Sequence, residues 1–119
     1  MMSNDLQRFD SNERLSRIVV HGGVVYVAGV TAGDISGDIG AQTRDVLAKI
    51  DGYLKTAGTS KSRLLTVQIW LKDIDKDFAG MNQVWGEWAD KANMPTRATC
   101  EAKLARPELL VEIIVSAAV

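Results

Sequence analysis

Apolar and polar residues alternate most regularly in residues 65–72. The two alternating sets are Leu65, Val67, Ile69 and Leu71 on one side, and Thr66, Gln68, Trp70 and Lys72 on the other. Successive side chains of a β-strand point to opposite faces of its sheet. The pattern therefore predicts a strand whose first set of side chains faces a core.

Two other stretches repeat apolar residues every three or four positions, the spacing of an amphipathic helix. The first helix is predicted from about residue 39 to 57, with Asp38 as its N-cap and Gly58 just beyond its end. Its apolar stripe is Thr43, Val46, Leu47, Ile50, Leu54 and Ala57. The second helix follows a polar break at 73–77 and closes at 93–95. Its apolar face is Phe78, Met81, Val84, Trp85 and Trp88.

Strands are predicted at both ends of the chain. The β-branched runs 18–20 and 24–28 flank His21, Gly22 and Gly23, which favours a hairpin. Residues 1–13 are expected to be a loose polar arm, and residues 29–37 a loop. Two last strands, about 97–104 and 109–118, are expected to form a second hairpin, joined around residues 106–108. The resulting order, β-β-α-β-α-β-β, predicts an α+β fold with two helices on one face of a mixed sheet. Residues 1–119 are expected to form a single domain.

The predicted sheet has a second face that the helices leave uncovered. A sheet with one helical layer should keep that face polar. Trp70, Ile114 and Ala118 are nevertheless placed on it by the alternation. We therefore expect this face to pack against another subunit.

Composition and charge narrow the functional classes. The chain has 14 basic and 15 acidic residues and a net charge of −1, and it contains no basic run, so we expect no nucleic-acid partner. No apolar stretch approaches the ~20 residues of a membrane span, and the first residues lack the pattern of a signal peptide. The lone cysteine cannot form an internal disulfide. A cytoplasmic protein without a membrane partner is the expectation.

Arg97 opens one of the last strands, and Glu112 interrupts the other, which is otherwise apolar. A guanidinium cannot lose its charge in a protein, and its planar fork suits a carboxylate. One interpretation is structural: Arg97 pairs with Glu112 across adjacent strands, or with Glu101. The other is functional: Arg97 holds a substrate carboxylate while Glu112 handles a proton or a water. The residues alone leave both open.

Strand alternation places Thr99 beside Arg97 and turns Cys100 to the opposite face. We interpret Cys100 as a buried small hydrophobe. The only histidine, His21, lies in a predicted tight turn and is interpreted as a solvated residue. A Cys–His nucleophile is therefore not expected, and one histidine with one cysteine falls short of a metal site.

Several segments together resemble the Rid family of YjgF-type small proteins. The segment PTRATCE at 95–101, followed by LVEI at 110–113, resembles the C-terminal signature of that family. YVAG at 26–29 resembles the end of its second strand, and DFAGMN at 77–82 the start of its second helix. The arginine-x-threonine sequence and the HGG hairpin at 21–23 are similar to the YoaB-type branch.

The resemblance implies a chorismate-mutase-like fold and a homotrimer with sites in clefts between subunits. It also implies hydrolysis of reactive enamines and imines, such as 2-aminoacrylate, to 2-keto acids and ammonia, with no cofactor and no metal. By position, Arg97 matches the arginine that binds the substrate carboxylate, and Glu112 the acid that orients or activates water. Thr99 occupies the place where the family often has a cysteine whose backbone contacts the ligand, and Gly29 matches a glycine that lines the cleft.

The sequence also departs from the family. Imine deaminases of the family often carry a tyrosine before the first strand, where this chain reads RLS at 14–16, and the cysteine has moved to the next position. A second function therefore stays open: a non-catalytic trimer that binds a small carboxylate and acts as a regulator or sensor. Ribonuclease activity, proposed for the family, is disfavoured by the charge balance.

Overall fold

The computed structural model describes residues 6–119, which fold into one six-stranded mixed sheet with two α-helices on one face. The strands are β1 (Gln7–Ser11), β2 (Ser16–His21), β3 (Val24–Thr31), β4 (Leu64–Leu71), β5 (Thr96–Glu101) and β6 (Val111–Ala118). The helices are α1 (Ile39–Thr56) and α2 (Ile74–Trp88), and a short 3-10 turn, Lys61–Arg63, precedes β4. The predicted α+β class is confirmed.

The strands lie in the order β1-β2-β3-β6-β4-β5, and each neighbouring pair is antiparallel except β4 and β5. The expectation that the last two strands form a hairpin is wrong, because β4 lies between β5 and β6. The unit β4-α2-β5 is a strand–helix–strand crossover, the connection that parallel neighbours require. β5 is thereby left at one edge of the sheet, and β6 lies inside it.

The predicted N-terminal arm is also corrected. Residues 1–5 lie outside the described residues, and Gln7–Ser11 pairs with β2 as a strand. The hairpin at His21 is confirmed. Gly22 and Gly23 have φ of +60° and +81°, the left-handed values that a tight two-residue β-turn requires. β3 continues to Thr31, three residues beyond its predicted end.

Helix α1 begins after its predicted cap, Asp38, whereas α2 begins after Asp73, inside the predicted polar break, and ends at Trp88, five residues before 93–95. Asp38 accepts a hydrogen bond from the backbone N–H of Ala41 at 2.9 Å, and Asp73 accepts one from Lys76 at 3.1 Å. Both carboxylates therefore satisfy a donor that the first helical turn leaves free. Gly58, with φ of +81°, follows the C-terminal end of α1.

The core lies between the helices and the sheet, and two predicted core positions are wrong. In α2, Phe78 is 41% exposed, whereas Asp77 is only 4% exposed. Met81, Val84 and Trp85 are buried as predicted, so the difference is confined to the first turn of the helix. In β4, Leu64 is buried and Leu65 exposed, because the pairing with β6 is irregular between Leu64 and Thr66.

A buried amide, Gln42 of α1, connects the loops that precede α1 and β6. Its Nε2 donates to the carbonyls of Ile35 (3.4 Å), Gly37 (3.2 Å) and Glu108 (2.9 Å), and its Oε1 accepts from the N–H of Leu110 (3.0 Å). Every polar atom of this buried side chain is therefore paired, as buried amides require. The contact fixes the chain just before the strand that carries Glu112.

Candidate functional site

Glu112 lies on the sheet face that the helices leave uncovered. Its neighbours in β6, Val111 and Ile113, are fully buried beneath the helices, so alternation turns Glu112 the other way. In the register of the sheet it lies between Thr31 of β3 and Trp70 of β4.

The carboxylate of Glu112 packs directly on Gly29. The pairing of β3 with β6 is irregular between Val27 and Val30, and this irregularity brings Gly29 under the Glu112 side chain. A Cβ placed on Gly29 would overlap Oε2 of Glu112 and lie 3.1 Å from its Cδ. The backbone has no positive φ at Gly29, so backbone conformation does not call for glycine here. The close approach of the Glu112 side chain does.

Two opposing effects act on the ionisation of Glu112. Partial burial raises its pKa, because the charged form loses water, and the positive charge of Arg17 lowers it. Burial is the larger effect, so the pKa lies above that of an ordinary glutamate. Such a carboxylate exchanges a proton closer to neutral pH than a solvated one.

Arg17 of β2 belongs to the same cluster. Its Nη1 donates a hydrogen bond to the carbonyl of Gly29 at 3.0 Å, and its guanidinium carbon lies 5.7 Å from the ring centre of Tyr53 in α1. Arg17 was not predicted as a site residue. The available signal was similar to the one at Arg97, because Arg17 is a cation immediately before the apolar run 18–20.

Arg97 and Thr99 share one face of β5, as alternation predicts, and it is the face that carries the helices. Arg97 pairs in register with the core residue Val67, and its guanidinium carbon lies 5.7 Å from the ring centre of Trp85 in α2. Burial lowers the pKa of Arg97, but a guanidinium still keeps its proton. Among residues 6–119, no carboxylate lies within 4.0 Å of the guanidinium. The structural ion-pair interpretation is therefore wrong.

Thr99 adds a second unpaired group beside that arginine. Its Oγ1 is buried and has no hydrogen-bond partner among the described residues. Buried hydroxyls are almost always hydrogen-bonded, so a group without a partner needs an explanation. Arg97 and Thr99 together offer a charged fork and a hydroxyl to something outside this chain.

Within one chain, Arg97 cannot meet Glu112. Trp70 lies between Cys100 and Glu112 in the register of the sheet, and Arg97 is three residues before Cys100 on β5. Two strand spacings and three residues place the Cα atoms about 14 Å apart. The two side chains also point to opposite faces. The structure thus brings Gly29 together with Glu112, and Arg97 together with Thr99, as two separate clusters.

Comparison with known proteins identifies the family. The model of the family described as endoribonuclease L-PSP matches residues 5–119. The chain belongs to this family.

Relatives within the L-PSP family cover almost the whole chain. A RutC family protein from Haemophilus influenzae is 44% identical over 113 residues, which is 94% of this chain and 97% of the relative. The RutC family protein YoaB from Escherichia coli is 38% identical over 112 residues, covering 94% and 96%. The crystal structure of a YjgF family member from Neisseria meningitidis has a TM-score of 0.93 at 37% identity and covers 97% and 95%. The predicted resemblance to YjgF-type and YoaB-type proteins is confirmed.

The lone cysteine of this L-PSP family member is exposed, so its interpretation as a buried hydrophobe is wrong. Cys100 lies on the uncovered face beside Trp70, whereas His21 is exposed at the hairpin turn of β2. The two residues lie on strands separated by β3, β6 and β4. Over residues 6–119, no group of three or more His, Cys, Asp or Glu side chains could hold a metal ion, and no helix is long and apolar enough to cross a membrane.

The segment that lacks the expected aromatic residue forms the turn between β1 and β2. Asn12 closes this turn by accepting hydrogen bonds from the N–H groups of Arg14 (2.7 Å) and Leu15 (3.0 Å). Leu15, immediately before β2, is 43% exposed. This turn therefore carries an aliphatic side chain and no aromatic one.

Proposed function

We propose that this protein hydrolyses reactive enamines and imines, such as 2-aminoacrylate, to 2-keto acids and ammonia, at sites between the subunits of a homotrimer. Arg97 of one subunit holds the substrate carboxylate, and Glu112 of the next orients and deprotonates water. The observation that carries the proposal is the unpaired state of Arg97 and Thr99. A half-buried cation and a buried hydroxyl, both without a partner in the described chain, suit a small carboxylate.

The chemistry makes modest demands on the protein. An enamine first takes a proton at its terminal carbon and loses one from its nitrogen, and so becomes an imine. Water then attacks the C=N carbon and gives up a proton while the nitrogen gains one, and the carbinolamine releases ammonia to leave the 2-keto acid. Free imines hydrolyse slowly in water without help, so positioning and one acid–base group suffice. A bidentate arginine supplies the position, and a general acid–base such as Glu112 typically contributes about 10²–10⁴-fold.

The raised pKa of Glu112 suits that second role. Its carboxylate must be ionised to take a proton from water, and its protonated form must then donate to nitrogen. A group whose pKa is raised toward neutrality does both with little penalty. The same desolvation that raises the pKa would increase as a neighbouring subunit closed over this face.

The uncovered face supports an assembly between subunits. In the middle of the sheet this face carries the apolar side chains of Tyr26, Trp70 and Ile114, next to the polar Thr66, Gln68 and Ser116. Aromatic and aliphatic side chains on a sheet face that the two helices leave uncovered are typical of an interface. Because Arg97 and Glu112 point to opposite faces of one sheet, a site that uses both must draw them from two subunits.

Subunit complementation tests this arrangement directly. The variants Arg97→Ala and Glu112→Gln should each lose keto-acid release from an amino-acid oxidase or serine dehydratase reaction. When they are mixed in equal amounts, unfolded and refolded together, some interfaces pair the intact Arg97 of one chain with the intact Glu112 of the other. Random assembly into a cyclic trimer restores about one site in four. Activity should therefore return to about a quarter of that of the unmutated protein.

The controls separate assembly from chemistry. Each variant refolded alone should keep only residual activity, and light scattering should show trimers in every sample. Arg97→Lys keeps the charge but loses the fork, so it should recover little activity. Full activity of Arg97→Ala alone, or an inactive mixture of folded trimers, would refute the proposed site.

A non-catalytic carboxylate binder is the second candidate, and the exposed Leu15 favours it. An aliphatic residue at that position removes the aromatic surface that covers the substrate in related deaminases. In this case, pyruvate would bind in calorimetry with a dependence on Arg97, no imine would be turned over, and Glu112→Gln would bind normally. Turnover that requires Glu112 would exclude this candidate.

The family description names endoribonuclease activity, but the charge distribution gives it little support. One group of three cations, Lys72, Lys103 and Arg106, lines a cavity of about 200 Å³ formed by residues 103–107 and Lys72. Two of its cations are already engaged: Lys72 donates to the carbonyl of Pro107, and Arg106 lies 3.7 Å from Glu108. RNA affinity that falls steeply with salt, and weakens in Lys103→Ala, would revive this function.

A further inference from the structure

Arg17 is held by two contacts beside the candidate acid–base residue. Its Nη1 donates to the carbonyl of Gly29 at 3.0 Å, and its guanidinium lies against the ring of Tyr53. Gly29 is also the residue on which the Glu112 carboxylate packs. Gly29 thus contacts both side chains: its carbonyl accepts the hydrogen bond from Arg17, and its Cα packs against the carboxylate of Glu112.

We propose that Arg17 is a positioning residue for Glu112. Its hydrogen bond fixes the bulged Gly29 segment that supports the carboxylate, and its charge keeps that carboxylate ionised and ready to accept a proton. Arg17 touches neither substrate nor reacting atoms in this role. The kinetic part of the inference rests on the proposed function, but its electrostatic part does not.

Among the charged groups around Glu112, Arg17 has the largest electrostatic effect on its carboxylate. The residues beside Glu112 in register are Thr31 on β3 and Trp70 on β4, and neither is charged; Cys100, one strand further on β5, carries a thiol. From α1, Lys49 donates to the carbonyl of Thr31 at 3.0 Å, and Asp45 accepts from the N–H of Gly33 at 2.7 Å. The charges of Lys49 and Asp45 are opposite in sign, and both side chains hydrogen-bond to the backbone at the end of β3 or in the loop after it.

Among these groups, Arg17 is the one whose charge lowers the pKa of Glu112, against the effect of burial, which raises it. The site therefore balances two requirements. Burial strengthens the carboxylate as a base, and Arg17 prevents the pKa from rising so far that the group is protonated in the resting protein. Without Arg17, the burial effect would act alone.

Three variants separate charge from hydrogen bonding. Arg17→Lys keeps the charge, Arg17→Gln keeps a donor for the Gly29 carbonyl but loses the charge, and Arg8→Gln removes an exposed arginine from the neighbouring strand β1 as a matched control. The titration of Glu112 is followed by carbon-13 NMR of its side-chain carboxyl in the full-length assembled protein. The signal is assigned by its loss in Glu112→Gln. The pH profile of kcat/KM is measured in parallel.

We expect the titration midpoint of Glu112 to shift upward in Arg17→Gln and to stay close to the native value in Arg17→Lys and Arg8→Gln. The acid limb of kcat/KM should move upward with it, while KM stays the same because Arg17 does not contact substrate. An unshifted midpoint in a folded Arg17→Gln protein would overturn the inference. A shifted midpoint in a protein without any imine turnover would leave the inference standing and refute the proposed function instead.

Discussion

Replacing Gly29 by alanine is expected to displace the Glu112 carboxylate while the fold remains intact. The added methyl group would overlap Oε2 of Glu112 and lie 3.1 Å from Cδ and 3.3 Å from Cγ. Every close neighbour belongs to one flexible side chain, and none belongs to the backbone. The backbone at residue 29 also lacks a positive φ, so alanine can adopt its conformation. The side chain of Glu112 must therefore move, and the strand need not.

The size of that movement sets the expected effect. Carbon–oxygen contacts below 3.0 Å are essentially never seen, so the carboxylate has to retreat by about 1 Å or more. A misplacement of about 1 Å can cost 10²-fold in rate, because a positioned acid–base group acts only within hydrogen-bond reach of its proton. We expect kcat/KM of Gly29→Ala to fall about 100-fold. Its thermal stability should change little, since alanine also restricts the unfolded chain by about 0.4–1 kcal/mol.

The assay is keto-acid release from a serine dehydratase reaction, with two companion variants. Gly52→Ala, in the exposed part of α1 with no atom within 4 Å of the new Cβ, is the matched control. It should gain about 0.5–1 kcal/mol of stability and keep full activity. The double variant Gly29→Ala/Glu112→Gln should be no slower than Glu112→Gln alone, because the methyl group acts through the carboxylate that is already absent.

Native kcat/KM in a folded Gly29→Ala protein would refute this reasoning. It would mean that the position of Glu112 on Gly29 is unimportant for the reaction. A further loss of activity in the double variant would be equally damaging, because the methyl group would then obstruct the substrate rather than the carboxylate.

Two further predictions concern stability. Burial raises the folded-state pKa of Glu112 above its usual 4.5, so the stability that its protonated form contributes is lost as the pH rises through that raised value. Glu112→Gln should therefore raise Tm at about pH 8 and match the native Tm at about pH 4. A lower Tm of this variant at pH 8 would contradict the prediction. Gln42→Ala should lower the free energy of unfolding by at least about 1–3 kcal/mol, because the carbonyl of Glu108 and the N–H of Leu110 lose their buried partner. The exposed Gln83→Ala is its control in urea denaturation, and equal midpoints for the two variants would contradict the role of Gln42.

Local patterns in the sequence predicted most elements of the fold, because caps and periodicity depend on neighbouring residues. Asp38 and Gly58 mark the ends of α1, and alternation along β5 places Arg97 and Thr99 on one face. Strand order depends on long-range pairing, and there the prediction failed. The helix between β4 and β5 is the local clue that favours parallel neighbours, but two late strands joined by a short turn suggested a hairpin.

The candidate site divides along the same line. The identities of Arg97 and Glu112 stand out in the sequence, because charges are rare within apolar strands. The distance between Arg97 and Glu112 cannot be predicted from the sequence in this way, because it depends on β4 lying between β5 and β6. The contact of Gly29 with Glu112 follows from an irregular register in β3, which no short-range pattern encodes.

The exposed Cys100 shows why the burial of a strand residue is harder to predict than the face of the sheet to which its side chain points. Alternation placed this thiol on the face opposite Arg97, which is where it lies. Whether a residue on that face is buried depends on what covers the face, and no helix or strand of residues 6–119 does. Trp70 and Ile114 share the face and carry apolar side chains that an uncovered sheet would not need. The unpaired Arg97 and this uncovered face thus have a common explanation in the proposed trimer: each is half of a contact whose other half lies on a second copy of the chain.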